Sequence, residues 1–262
     1  MNFIVEGYPA YAYTGGRDYD PSLPAVVFVH GAALDHSVWQ WQSRYLAHHG
    51  FAVLAVDLPA HGRSPGKPRS SVADLARWLA ALIEAAGLAR AALVGHSMGA
   101  LVALEAALAY PQRVSRLALL GGALPMTVGD AFLAAARDDS PAALDMQAVW
   151  GHARGTTLAQ SSVPGMALVD ATRRLNARAR PGLLATDLAA CHDYRAADEL
   201  LAKLSLPVLV GAGKRDQMTP WKAGQALAQR IPGARLVTFE AGHAMMSEAP
   251  REVQAALREF LS

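Results

Sequence analysis

Apolar residues in this chain fall into short, nearly unbroken runs, separated by stretches where they recur every three or four positions. Residues 25–30, 52–57 and 91–94 are runs of the first kind, and residues 114–120 read as the next strand. A strand apolar at almost every position is covered on both faces, which is the state of strands in a parallel sheet. Residues 206–210 form a further apolar strand toward the C-terminus, and residues 234–239 another strand pattern. Between the runs lie helical stretches. Ser71, with Asp74 three positions on, predicts an N-cap, and that helix stops at Gly87. Residues 100–109 are rich in alanine and residues 249–261 read as a closing helix. Residues 3–14 pair as a hairpin, with Gly15-Gly16 and Asp20-Pro21 as turn signals after it. The alternation predicts an α/β fold with a mostly parallel sheet and helices on both faces.

The alternation breaks down between Leu124 and Lys203. That stretch has helical fragments, no strong strand, and Pro125, Pro141, Pro164 and Pro181. It is too long for an ordinary connection, so residues 124–203 are expected to form an insertion between two parts of one core, 1–123 and 204–262.

Chemistry first appears where the run at 91–94 meets the alanine-rich helix, at Gly95-His96-Ser97-Met98-Gly99. A serine at a tight strand-to-helix turn needs small neighbours, and glycines two residues either side supply them. Its hydroxyl is then exposed beside a helix start, where backbone N–H groups favour developing negative charge. A serine hydroxyl is a poor nucleophile at neutral pH. It needs an imidazole to take its proton and a carboxylate to fix the imidazole tautomer. Downstream, Asp216 follows one strand pattern and His243 the next. Asp57 also ends a strand, but it precedes the serine, and the Ser…Asp…His chain order of the α/β-hydrolases, which this arrangement resembles, makes Asp216 the expected acid.

Four segments together carry a family resemblance: His30-Gly31-Ala32-Ala33 with Trp39 following, Asp57-Leu58-Pro59-Ala60-His61-Gly62-Arg63-Ser64, the Ser97 turn, and the Asp216 and His243 loops. The chain resembles the capped α/β-hydrolase-fold serine hydrolases, which include carboxylesterases, haloperoxidase-like esterases and C–C bond hydrolases. It departs from the pattern at Ala60 and Ala100, where glycine is common. The resemblance implies an eight-stranded, mostly parallel sheet with residues 124–203 as a helical lid over Ser97. It also implies that the N–H groups of Ala32 and Met98 form an oxyanion hole, and that Asp57, His30 and His96 are structural. The alternative acid position of this fold, after the strand ending at Leu120, holds Gly121-Gly122-Ala123 and no carboxylate.

A serine at this turn suits acyl transfer and excludes the alkyl-ester chemistry of relatives with an aspartate there. The expected function is hydrolysis of small to medium, largely apolar carboxylic esters through an acyl-enzyme. Alternatives are C–C cleavage of ring-fission diketones, an acyl-carrier-directed esterase, and a non-catalytic ligand-binding member of the fold. Trp39, Met126, Trp150, Met218 and Met246 are expected to line the pocket, together with Met98, Met245, Phe132, Leu144, Met146 and Val149. Arg173, Arg174, Arg178 and Arg180 are expected to form a solvated helix face.

Composition narrows the remaining classes. At 262 residues and 52% hydrophobic, the chain can bury a sheet between two helix layers as a single domain with an insertion. A net charge of +2 gives no reason to expect a nucleic-acid partner. No apolar run reaches the roughly 18–20 residues needed to span a bilayer, so no membrane role is expected. Residues 1–6 lack the features of a signal peptide, and the single Cys191 excludes an internal disulfide, so a cytoplasmic location is expected. The adjacent His48-His49 is a poor metal pair and no H-E-x-x-H occurs, so neither metal nor cofactor is expected. The partner is a small-molecule ester, and nothing indicates an oligomeric state.

Overall fold

Period-two alternation inside the apolar runs sorts their side chains onto two faces, and both faces are covered. In the computed structural model, which describes residues 1–156 and 165–262, Val27, Val29, Leu54, Leu93, Leu117 and Val210 share one cluster. Val26, Phe28, Val53, Val94, Ala118 and Leu209 share another. The strands are β1 (Asn2–Val5), β2 (Tyr8–Tyr13), β3 (Ala25–Val29), β4 (Ala52–Val56), β5 (Ala91–His96), β6 (Val114–Leu120), β7 (Val208–Gly213) and β8 (Arg235–Phe239). They form one sheet in the order β1-β2-β4-β3-β5-β6-β7-β8. The hairpin β1–β2 and its junction with β4 are antiparallel, and every later pairing is parallel.

Helices α1 (Gln40–Ala47), α2 (Val72–Ala85) and α3 (Met98–Ala109) alternate with the strands. Ser71 caps α2 as its spacing predicts, its hydroxyl accepting from the Asp74 amide at 3.1 Å. Between β6 and β7 come α4 (Asp130–Arg137), α5 (Pro141–Trp150), α6 (Leu168–Asn176), α7 (Leu183–Asp193) and α8 (Asp198–Leu201), with no strand among the described residues. Pro164, one of the prolines that punctuate this stretch, lies outside the described residues. The chain closes with α9 (Trp221–Arg230), α10 (Met245–Glu248) and α11 (Pro250–Leu261). Buried residues of α2, α3 and α9 cover the first face of the sheet, and those of α1, α10 and α11 the second.

The helices between β6 and β7 lie against loops at the C-terminal ends of the parallel strands. Gln147 of α5 and Asp187 of α7 bond the loop after β3, and the Gly151 carbonyl accepts from the Ala244 amide at 2.7 Å. In open α/β sheets this end is where ligands bind.

Candidate active site

Ser97 sits between β5 and α3 with φ +55° and ψ −119°, a strained conformation for a residue with a Cβ. The turn closes only because its flanks are glycine. A Cβ on Gly95 would lie 2.1 Å from the Gly99 carbonyl oxygen, and one on Gly99 2.2 Å from the Val29 carbonyl oxygen. The Ser97 amide donates to Leu120 at 2.9 Å, which ties the turn to the neighbouring strand. Met98 is the first residue of α3, so its N–H has no intrahelical acceptor, while its side chain is buried in the core.

Asp216 and His243 leave β7 and β8 on adjacent loops and meet. His243 Nδ1 lies 2.8 Å from Asp216 Oδ2, which assigns the proton to Nδ1 and leaves Nε2 as an acceptor. Nε2 has no hydrogen-bond partner among the described residues. Asp216 also accepts from the amides of Met218 and Thr219, both at 2.8 Å, and lies 2.8 Å from the Thr219 hydroxyl. Burial alone raises the Asp216 pKa. The His243 ring and the Thr219 donors outweigh it and hold the carboxyl below its ordinary value. The ring packs on Gly121, where a Cβ would lie 3.1 Å from both Cε1 and Nδ1. The glycine where a second acid position falls in this fold is therefore room for the imidazole.

Two buried histidines brace the site. His96 Nε2 lies 2.9 Å from the His243 carbonyl, and burial drives its pKa down to about 3, so it is neutral and donates. His30 accepts from the Leu58 amide at 3.1 Å through Nε2 and donates to Gly31 through Nδ1 at 2.8 Å. Burial sets its pKa at about 3 as well. Asp57, as expected of a turn residue, accepts from the amides of His36 and Arg63 and from His36 Nδ1. With Asp35 and His36 it is the only cluster of candidate metal ligands among the described residues, and both its acids already accept several hydrogen bonds.

The loop after β3 is held from the inserted helices. Gln147 Nε2 donates to the Ala32 carbonyl at 2.7 Å, and the Ala33 amide donates to Asp187 Oδ2 at 2.8 Å. One peptide unit is thus fixed at both ends, although Ala33 has φ +53°. The same Asp187 oxygen lies 2.8 Å from His61 Nε2, while His61 Nδ1 lies 2.9 Å from the Pro59 carbonyl. Both ring nitrogens face acceptors, so both carry protons and the pair is a buried imidazolium carboxylate. Burial pulls the His61 pKa down, yet Asp187 outweighs it and the net direction is up. A second tie joins the inserted helices to the His243 loop. The Glu248 carboxylate accepts from Gly242 at 2.6 Å and from Ala153 at 2.9 Å.

A cavity of about 620 Å³ is lined by Ala32, Ser97 and His243, and by Met126, Trp150, Met218 and Met246. Trp39 is a correction: it is fully buried in the core of the second sheet face, its ring 4.9 Å from Phe28. Its neighbours Val38 and Gln40 line the cavity instead. Phe132 also lines it, whereas Met98 and Met245 are core and Leu144, Met146 and Val149 lie off it. Cys191 is a buried thiol on the wall, its pKa pushed upward by burial. The arginine group divides. Arg173 pairs with Asp145 and Asp170, and Arg180 donates to the Gly66 carbonyl, while Arg178 lines the cavity. Sequence reasoning missed Thr219, Gln147, Asp187 and Glu248. Only Thr219, three residues after Asp216, carried a local signal.

The fold and these loops define the class. A family model described as alpha/beta hydrolase fold matches residues 24–250, and the chain belongs to that family, as a hydrolase of this fold. It is 33% identical to a pimeloyl-[acyl-carrier protein] methyl ester esterase of Aromatoleum aromaticum, over 91% of this chain and 98% of that one. It is 29% identical to a putative carbamate hydrolase of Cronobacter turicensis, over 90% of each chain. An esterase structure from Exiguobacterium antarcticum shares the fold with a TM-score of 0.86 at 22% identity, covering 100% of this chain and 98% of that one. No described helix is long and apolar enough to cross a membrane.

Proposed function

We propose that the protein is a serine esterase that cleaves small to medium, largely apolar carboxylic esters, with Ser97, His243 and Asp216 as its catalytic triad. One observation carries this reading. His243 has its Nδ1–H fixed by Asp216 and its Nε2 unpartnered among the described residues, and it lines the same cavity as Ser97. Ser97 Oγ attacks the ester carbonyl carbon and its proton passes to His243 Nε2. The tetrahedral oxyanion is received by the N–H groups of Ala32 and Met98. Collapse expels the alcohol, which takes the proton back from Nε2. Water activated by the same nitrogen then hydrolyses the acyl-enzyme. Residues 124–203 act as a lid whose helices clamp both the oxyanion loop and the His243 loop.

The test is labelling with a fluorophosphonate followed by intact mass, beside initial rates on acyl esters of graded chain length. The reading predicts a single adduct on Ser97, lost in Ser97→Ala, and turnover of short to medium esters. A chain that hydrolyses no ester and takes no adduct is a ligand-binding member of the fold instead.

A second reading rests on Arg178, an exposed cation that lines the cavity. It fits an ester with an anionic or carrier-linked acyl group, as the name of the pimeloyl-[acyl-carrier protein] methyl ester esterase relative describes. Arg178→Gln distinguishes the two, since only the second reading expects a salt-sensitive loss confined to anionic esters.

A further inference from the structure

Two residues of the inserted stretch that line the cavity, Gln147 and His152, carry buried acceptor atoms that the proposed mechanism leaves unused. Gln147 spends its Nε2 on the Ala32 carbonyl, which assigns the amide and leaves Oε1 on its other side. His152, just after α5, has Nδ1 at 2.8 Å from the Ala148 carbonyl. That bond places the ring proton on Nδ1 and makes Nε2 a lone-pair acceptor. Burial lowers the pKa of this imidazole, so it stays neutral. Neither Gln147 Oε1 nor His152 Nε2 has a hydrogen-bond partner among the described residues. The residues are 7% and 1% exposed, and both line the cavity that holds Ser97 and His243.

His152 also abuts the His243 loop. Its carbonyl accepts from Gln217 Nε2 at 3.1 Å, the Gly151 carbonyl accepts from Ala244, and a Cβ on Gly242 would lie 2.8 Å from the His152 carbonyl carbon. In an esterase this is the side from which the alcohol departs, because the alcohol takes its proton from His243. Buried acceptors in a largely apolar cavity favour a ligand that brings donors to them.

We propose that His152, with Gln147 on the same stretch of the lid, forms an acceptor subsite selecting esters whose alcohol portion carries a further hydroxyl or N–H donor. The subsite rests on the esterase reading above. It makes His152 a residue that touches the substrate and sets preference without taking part in bond making.

The experiment compares kcat/KM for 2-hydroxyethyl butanoate and for 2-methoxyethyl butanoate, which differ in the donor, with wild-type protein, His152→Phe and His152→Gln. The expected wild-type preference for the hydroxy ester is about tenfold or more. His152→Phe brings the ratio near one, and His152→Gln, which keeps an acceptor, retains part of it. A merely structural His152 lowers both rates together and leaves the ratio intact, which overturns the proposal. Equal wild-type rates on the two esters overturn the subsite and leave the esterase reading standing. Turnover of neither ester, nor of any in the graded series, overturns both.

Discussion

Asp187 lies 90 residues beyond Ser97 in sequence, yet its replacement by alanine is expected to damage both stability and turnover. A single carboxylate oxygen accepts from the Ala33 amide and from His61 Nε2, each at 2.8 Å. Both partners are about 2% exposed, so solvent does not readily replace the lost acceptor. Orphaning a buried backbone N–H costs about 1–3 kcal/mol, and losing a charge-assisted hydrogen bond about 1.5–3 kcal/mol. Asp187→Ala is therefore expected to destabilise by about 3–5 kcal/mol, the range for breaking a buried ion pair from one side. Asp187→Asn, which keeps an acceptor for the Ala33 amide, is expected to lose about half of that. The measurement is urea unfolding followed by circular dichroism at pH 6. Ester turnover should fall about tenfold or more with Asp187→Ala, because the 32–33 peptide unit loses one of its two anchors. The pH dependence has a definite sign. The His61 pKa is raised in the folded state, so its contribution is fully present below about 6.5 and is lost as pH rises through the folded value. The alanine variant should lack that alkaline decline. A loss below about 1 kcal/mol, or an unchanged alkaline limb, would refute the reasoning that the pair is charged and tethers α7 to the loop after β3.

Three further outcomes follow from the site and its supports. Ser97→Ala and His243→Ala should each remove several orders of magnitude of ester turnover while leaving the unfolding midpoint nearly unchanged. The double variant should be no worse than either single one, because the residues act as a unit. His30 and His96 have folded pKa values near 3, so their contribution to stability is full above about 6.5 and declines as pH falls toward 3. Each should cost up to about 1.4 kcal/mol per pH unit in that window, which chemical denaturation at pH 6.5, 5.5 and 4.5 would reveal. Ala60, at φ +70°, sits in left-handed backbone. Ala60→Gly should stabilise by about 0.5–1 kcal/mol and raise Tm by about 2 °C, and a lower Tm would contradict the strain argument.

The parts of this molecule that were legible in its sequence are those whose cause is local. β4 falls within its apolar run, because a strand covered on both faces declares itself residue by residue. The Ser97 turn is legible for a similar reason: the atoms that forbid a Cβ at Gly95 belong to Gly99 and Ala100, a few residues away. Trp39 shows the limit. An aromatic residue just after a site loop reads as pocket lining, but the direction in which its helical turn presents it decides its neighbours, and Trp39 packs on Phe28 in the core of the second face. The polar residues of the inserted helices were hidden more completely. Gln147 lies 115 positions from Ala32, and Asp187 lies 154 from Ala33. Neither belongs to a motif, since each acts on a backbone group that every residue possesses. A nucleophile, a base and an acid must be particular residue types at particular turns, and so they leave a pattern. Residues that hold a carbonyl or an amide in place need only arrive there, and topology alone determines which ones do. The helices between β6 and β7 therefore reach the candidate site through side chains no motif predicts, and any effect on turnover has to be sought in those tethers as well as in the apolar wall.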